Sequence, residues 1–137
     1  MSFLTRLTSA TLVMLAGLHV AWGKGSTFPF VDQQQLADAV VGTDEVPAPA
    51  SCFAVANALT AGSALVLGVP RLPRALRTTG LLGMAGVFGL RGALGLAGKT
   101  DLVSPGSSSV RFRGLDRRLY SPVCIGLALG CLSARRY

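Results

Sequence analysis

The chain has 137 residues, half of them apolar, with only 14% charged and a mean hydropathy of +0.53. A water-soluble domain carries about 25% charged residues, so the composition excludes an ordinary soluble domain and fits a membrane protein. The formal net charge of +7 is not the mark of a nucleic-acid partner, because the arginines other than Arg91 fall near the ends of apolar runs and in loops.

The first apolar run covers residues 3–23. A bilayer core of about 30 Å takes roughly 20 helical residues, so this run suffices for a first span. It also has the outline of a cleaved signal peptide, with Arg6 as the basic region and Ala21-Trp22-Gly23 as an A-x-small site; Trp22 and His19 beside the cut speak against that. A loop over 24–50 follows, with one lysine against Asp32, Asp38, Asp44 and Glu45. The second span is expected over 51–69, capped by Ser51 after Pro47 and Pro49. Arg71, Pro73, Arg74 and Arg77 form a basic hairpin over 70–78, and a third span is expected over 79–98.

A loop over 99–119 leads to Ser121-Pro122, which reads as an N-cap with proline at the first helical position. That opens a short fourth span over 120–134, anchored by Tyr120 and by Arg135 and Arg136. The expected architecture is all-α: one polytopic membrane domain over 1–137, a four-transmembrane-helix bundle. An even number of spans puts both termini on one side. Lysines and arginines divide equally between the two sides, six against six, and the purely basic hairpin against the acidic first loop breaks the tie, placing the termini in the cytoplasm.

In lipid, helices associate through close backbone contact, which small residues permit. Rows at four-residue spacing are expected to supply it: Ala54, Ala58 and Gly62; Ala85, Gly89, Ala93 and Ala97; Gly126, Gly130 and Ala134. A charged residue at mid-membrane costs about 2.5–3.5 kcal/mol on insertion scales, so Arg91 demands shelter. His19, Asn57 and Arg91, with Tyr120, Ser121 and Cys124, share the outer third of the expected bundle, which suggests a polar pocket open to the non-cytoplasmic face. The alternative is structural: Arg91 snorkels to the headgroups while His19 and Asn57 bond backbone between helices. In the segment RFRGLDRRLYSPVC, Asp116 is able to pair with an arginine, leaving guanidiniums such as that of Arg117 to bind an anion or contact headgroups. One histidine and three scattered cysteines give no metal-ligand spacing, and no cofactor is implied.

Three blocks carry a resemblance: LHVAWGKG at 18–25, VFGLRGALG at 87–95 and FRGLDRRLYSPVCIGLAL at 112–129. They resemble the marked blocks of the bacterial domain-of-unknown-function 3995 family, small proteins with four predicted membrane helices. His19, Trp22, Gly23, Arg91, Asp116, Tyr120, Ser121, Pro122 and Cys124 match that pattern. Phe28-Pro29 stands where the family often shows Trp-Pro, and Ala93 leaves Arg91 with no acidic neighbour in its own helix. The resemblance implies a location in the bacterial cytoplasmic membrane and no established activity.

The expected role is a binding or accessory module. Its outer-leaflet pocket would hold an anionic lipid headgroup or a small ligand, with Arg91 as counter-ion and His19, Trp22 and Tyr120 shaping the site. Bracing a larger membrane complex or a homo-oligomer is the related role. Two alternatives come from other classes. One is a membrane-embedded enzyme on a lipid-like substrate, with His19 as acid or base and Cys124 as nucleophile. The other is a small transporter subunit.

Overall fold

The computed structural model describes all 137 residues, as helices and turns with no strand. Helix α1 spans Phe3–Gly23, and the Ser2 hydroxyl accepts the Thr5 amide at its start. Inside the first loop lies a short helix, α2, over Gln33–Leu36, capped by Asp32. It widens into a π-helical turn over Ala37–Val41 and ends at Gly42, whose φ of 79° few other residues adopt. Helix α3 spans Pro49–Leu67 and closes at Gly68 in the left-handed conformation. Helix α4 spans Arg74–Leu96, followed by a 3₁₀ turn over Thr100–Leu102. Helix α5, Val110–Leu115, runs through a second π-helical turn, Asp116–Tyr120, straight into α6, Ser121–Ala134.

Three of these helices, α1, α3 and α4, are long and apolar enough to cross a membrane. Their positions follow the sequence with shifted ends. The second apolar helix starts at Pro49 rather than Ser51, because proline's fixed φ suits the first helical position and its missing N–H costs nothing there. The third starts at Arg74, directly after Pro73, so the hairpin is shorter than expected. Ser121-Pro122 is not a helix start at all. Pro122 would clash with the carbonyl four residues back in a regular helix, and the wider π-helical turn lies immediately before it.

Helix α1 packs along α3, α4 packs along α6, and contacts between α1 and α6 join the pairs. Leu12, Val66, Leu81, Leu127 and Cys131 form the common core. Around it the usual distribution is inverted. Phe3, Met14, Val87, Leu90 and Leu129 face outward, while Thr5, Thr8, Ser9, Ser63, Asp116 and Ser121 are buried. The Ser9 and Ser63 hydroxyls bond across α1 and α3 at 2.8 Å. An exterior rich in apolar side chains around a partly polar interior suits an apolar solvent.

The small-residue rows need correction. In α4 the buried positions are Leu81, Ala85, Gly92 and Gly95, while Ala93 and Ala97 are exposed. A four-residue step overshoots the 3.6-residue turn by about 40°, so the row from Ala85 to Ala97 swings about 120° around the helix and leaves the interface. For the same reason Gly126, Ala54 and Ala58 face outward, whereas Gly130, Ala134 and Gly62 are buried.

Candidate functional site

Arg91 sits on α4 five residues before its end, on the side that α6 covers. Its Nη2 lies 2.8 Å from Oδ1 of Asp116, the only ion pair in the protein. Asp116 opens the second π-helical turn and is buried. A turn closed by i→i+5 bonds stacks residues five apart, as an α turn stacks residues four apart. That register brings Ser121 back over Asp116, and the Ser121 hydroxyl donates to Oδ1 at 3.2 Å. From the loop after α4, the Thr100 hydroxyl donates to Oδ2. The carboxylate thus receives three donors from α4, the following loop and α6. This is what a buried anion requires, since its desolvation otherwise goes uncompensated.

Glycine makes the approach achievable. A Cβ on Gly95 would lie 1.8 Å from Ser121 Oγ, 2.9 Å from Arg91 Nη1 and 3.0 Å from Asp116 Oδ1. Three residues earlier, a Cβ on Gly92 would meet Ile125 at 2.7 Å and the Ser121 carbonyl at 3.0 Å. The ion pair therefore exists only where α4 presents bare backbone to the start of α6. Nη1 of Arg91 is buried and has no hydrogen-bond partner.

Above the pair lies an open cleft of about 500 Å³, walled by Thr100, Asp101, Ser107, Arg113, Arg117 and Arg118, with Asp116 in its floor. The loops beside it are tied together. Tyr120 donates its hydroxyl to the Ala39 carbonyl at 2.7 Å, which satisfies an orphan acceptor at the end of the first π-helical turn. The Ser109 hydroxyl bonds Asp38, and the amides of Ser108 and Ser109 both reach the Gly42 carbonyl.

The residues singled out in the sequence thus fall into separate places. Arg91, Asp116 and Ser121 meet directly, Arg117 lines the cleft beside them, and Tyr120 and Cys124 flank them on the same helix. Arg91, expected as a free counter-ion, is occupied by Asp116. His19 and Trp22 lie elsewhere, lining a small, largely apolar recess of about 110 Å³ between α1, α2 and α3. Nδ1 of His19 bonds the Leu15 carbonyl of its own helix at 2.7 Å, its ring lies 5.0 Å from that of Trp22, and Trp22 Nε1 donates to the Phe28 carbonyl. Helices α1 and α4 face each other only across the bundle, so equal depth along the axis did not bring His19 to Arg91. Asn57 is exposed on the outer side of α3. Sequence reasoning missed Thr100 and Gly95. Thr100 carried no signal, and Gly95 was one glycine among 17. The partner of Arg91 was within reach by elimination, since Asp101 and Asp116 are the only acids after residue 45.

Fold and site together define an all-α protein with an outward apolar surface, helices able to cross a membrane, and a buried ion pair at one end. A family model described as "Protein of unknown function (DUF3995)" matches residues 12–131, and the chain belongs to that family. No curated protein and no solved structure matches it.

Proposed function

We propose that this is a four-span protein of the bacterial cytoplasmic membrane, with both termini in the cytoplasm. It acts as a binding or accessory module whose extracytoplasmic cleft takes an anionic lipid headgroup or a small anion. The fourth span is α5–α6, helical without a break from Val110 to Ala134 and about 37 Å long at 1.5 Å per residue. Its Arg111, Arg113, Arg117 and Arg118 then lie at headgroup depth. The orientation is supported by charge. Arg71, Arg74, Arg77, Arg135 and Arg136 gather at one end of the bundle, and the loop at the other end holds Asp32, Asp38, Asp44 and Glu45.

One observation carries the binding role: Arg113, Arg117 and Arg118 surround a cleft whose floor carboxylate is already neutralised by Arg91. An anion entering there meets three guanidiniums, whose fork matches phosphate and carboxylate oxygens, against one unpaired carboxylate, that of Asp101 at the rim. Arg91 acts by holding Asp116, and His19 and Trp22 lie outside the site.

The test is lipid retention. Protein purified in mild detergent and exchanged into mixed phosphatidylglycerol and phosphatidylcholine is expected to retain phosphatidylglycerol in native mass spectra. The Arg113→Gln/Arg117→Gln/Arg118→Gln variant is expected to retain fewer phosphatidylglycerol molecules. Equal retention by the variant rules out this cleft. Topology is checked separately: a cysteine at position 44 should react with an impermeant maleimide in intact spheroplasts, and one at position 72 should not.

A further inference from the structure

The opposite end of the bundle carries a second cleft, of about 560 Å³. Its floor is Thr5 and Val66, both buried. Five arginines from two distant stretches wall it: Arg71, Arg74 and Arg77 from the turn between α3 and α4, and Arg135 and Arg136 from the end of α6. No aspartate or glutamate lines it. Only Arg77 is engaged by the protein. Its Nε and Nη2 donate to the Leu65 and Val66 carbonyls at 2.9 and 3.1 Å, which caps the negative end of α3. The guanidiniums of Arg71, Arg74, Arg135 and Arg136 make no hydrogen bond or ion pair within the chain.

Scattered arginines at a membrane boundary need no special account, because each contacts whichever headgroup passes. Here the arrangement differs. Four uncommitted guanidiniums converge on one concavity with a buried floor, and their mutual repulsion stays uncompensated by any side chain around it. The volume falls within the range of small-molecule sites. Arginine's planar fork selects tetrahedral oxyanions over halide, and several forks around one concavity select a ligand with more than one phosphate oxygen edge.

We infer that this second cleft is a binding site for a phosphate-bearing anion, independent of the cleft over Asp116. The phosphate is supplied either by an anionic phospholipid of the adjoining leaflet or by a soluble phosphate compound.

Full-length protein in neutral detergent is titrated with short-chain phosphatidylglycerol, with short-chain phosphatidylcholine and with inorganic pyrophosphate, and binding is read by thermal stabilisation and calorimetry. The variants are Arg135→Gln/Arg136→Gln, at exposed positions where folding is not at stake, and Lys24→Gln, an exposed cation outside both clefts, as the control at the far end. Each arginine near an anionic group contributes about a five- to sixfold factor, so the Arg135/Arg136 variant is expected to bind about thirtyfold more weakly, with the control nearly unchanged. A response to phosphatidylglycerol but not pyrophosphate assigns the site to the headgroup. A response to pyrophosphate assigns it to soluble phosphate. The site is overturned if neither ligand binds, if phosphatidylcholine binds equally well, or if the Arg135/Arg136 variant matches the wild type.

Discussion

Replacing Gly95 by alanine adds one methyl group where α4 meets the start of α6. That Cβ would sit 1.8 Å from Ser121 Oγ, well under any contact distance, with Arg91 Nη1 and Asp116 Oδ1 about as crowded at 2.9 and 3.0 Å. Ser121 cannot simply rotate away without giving up its bond to Asp116, so either the helices separate or the bond breaks. Overpacking costs about 1–3 kcal/mol, and a lost hydrogen bond to a charged group about 1.5–3 kcal/mol. Against this stands alanine's better helix propensity, at most about 1 kcal/mol. A net destabilisation of about 1–2 kcal/mol is expected.

The same helix supplies the control. A Cβ on Gly83 or Gly86 would meet nothing within 4 Å, so alanine there should be neutral or stabilising by up to about 1 kcal/mol. Unfolding is followed by far-UV circular dichroism as dodecyl sulfate is titrated into mixed micelles. Adding Ser121→Ala to Gly95→Ala should recover about half of the loss, because the clashing oxygen is gone; a double-mutant cycle isolates that coupling. If Gly95→Ala and Gly86→Ala unfold at the same dodecyl sulfate fraction, the close approach of α4 to Ser121 is wrong.

Two further outcomes are expected. Asp116→Ala leaves the Arg91 guanidinium without its partner; because that side chain is about a quarter exposed, a loss of about 2–4 kcal/mol is expected, below the 3–5 of a fully buried pair. The neutral pair Arg91→Gln/Asp116→Asn should lose less than Asp116→Ala in the same titration, and the opposite order would show that the charge pairing is not what matters. Tyr120→Phe removes the donor to the Ala39 carbonyl, a loss of about 1 kcal/mol. Amide exchange should quicken over 33–42 while α3 and α4 keep their protection; unaltered exchange there would mean that Tyr120 does not tether the first loop.

Much of the site was visible in the sequence as separate pieces. Arg91 announced itself because an arginine among apolar residues has to be sheltered, and Asp116, Tyr120, Ser121 and Cys124 came as one motif. Their assembly was not visible. Ser121-Pro122 imitates a helix start so well that the helix before it, from Val110, looks like loop in the sequence. The π-helical turn that stacks Ser121 on Asp116 has no sequence signature of its own. His19 and Asn57 matched Arg91 in depth, but depth is one coordinate and rotation about each helix axis is another. His19 turns to an apolar recess, and Asn57 turns outward.

Composition and apolar run length by themselves determined that the chain is helical and suited to lipid, because backbone polar groups in hydrocarbon must be satisfied within each segment and about 20 apolar residues do so as a helix. Which helices touch was decided only in three dimensions. Association without a hydrophobic drive depends on sub-ångström backbone fit, and that fit selected Gly92, Gly95 and Gly130 from 17 glycines. The same packing chose Asp116 as the partner of Arg91, since a buried charge is stable only where geometry delivers its counter-charge and remaining donors together.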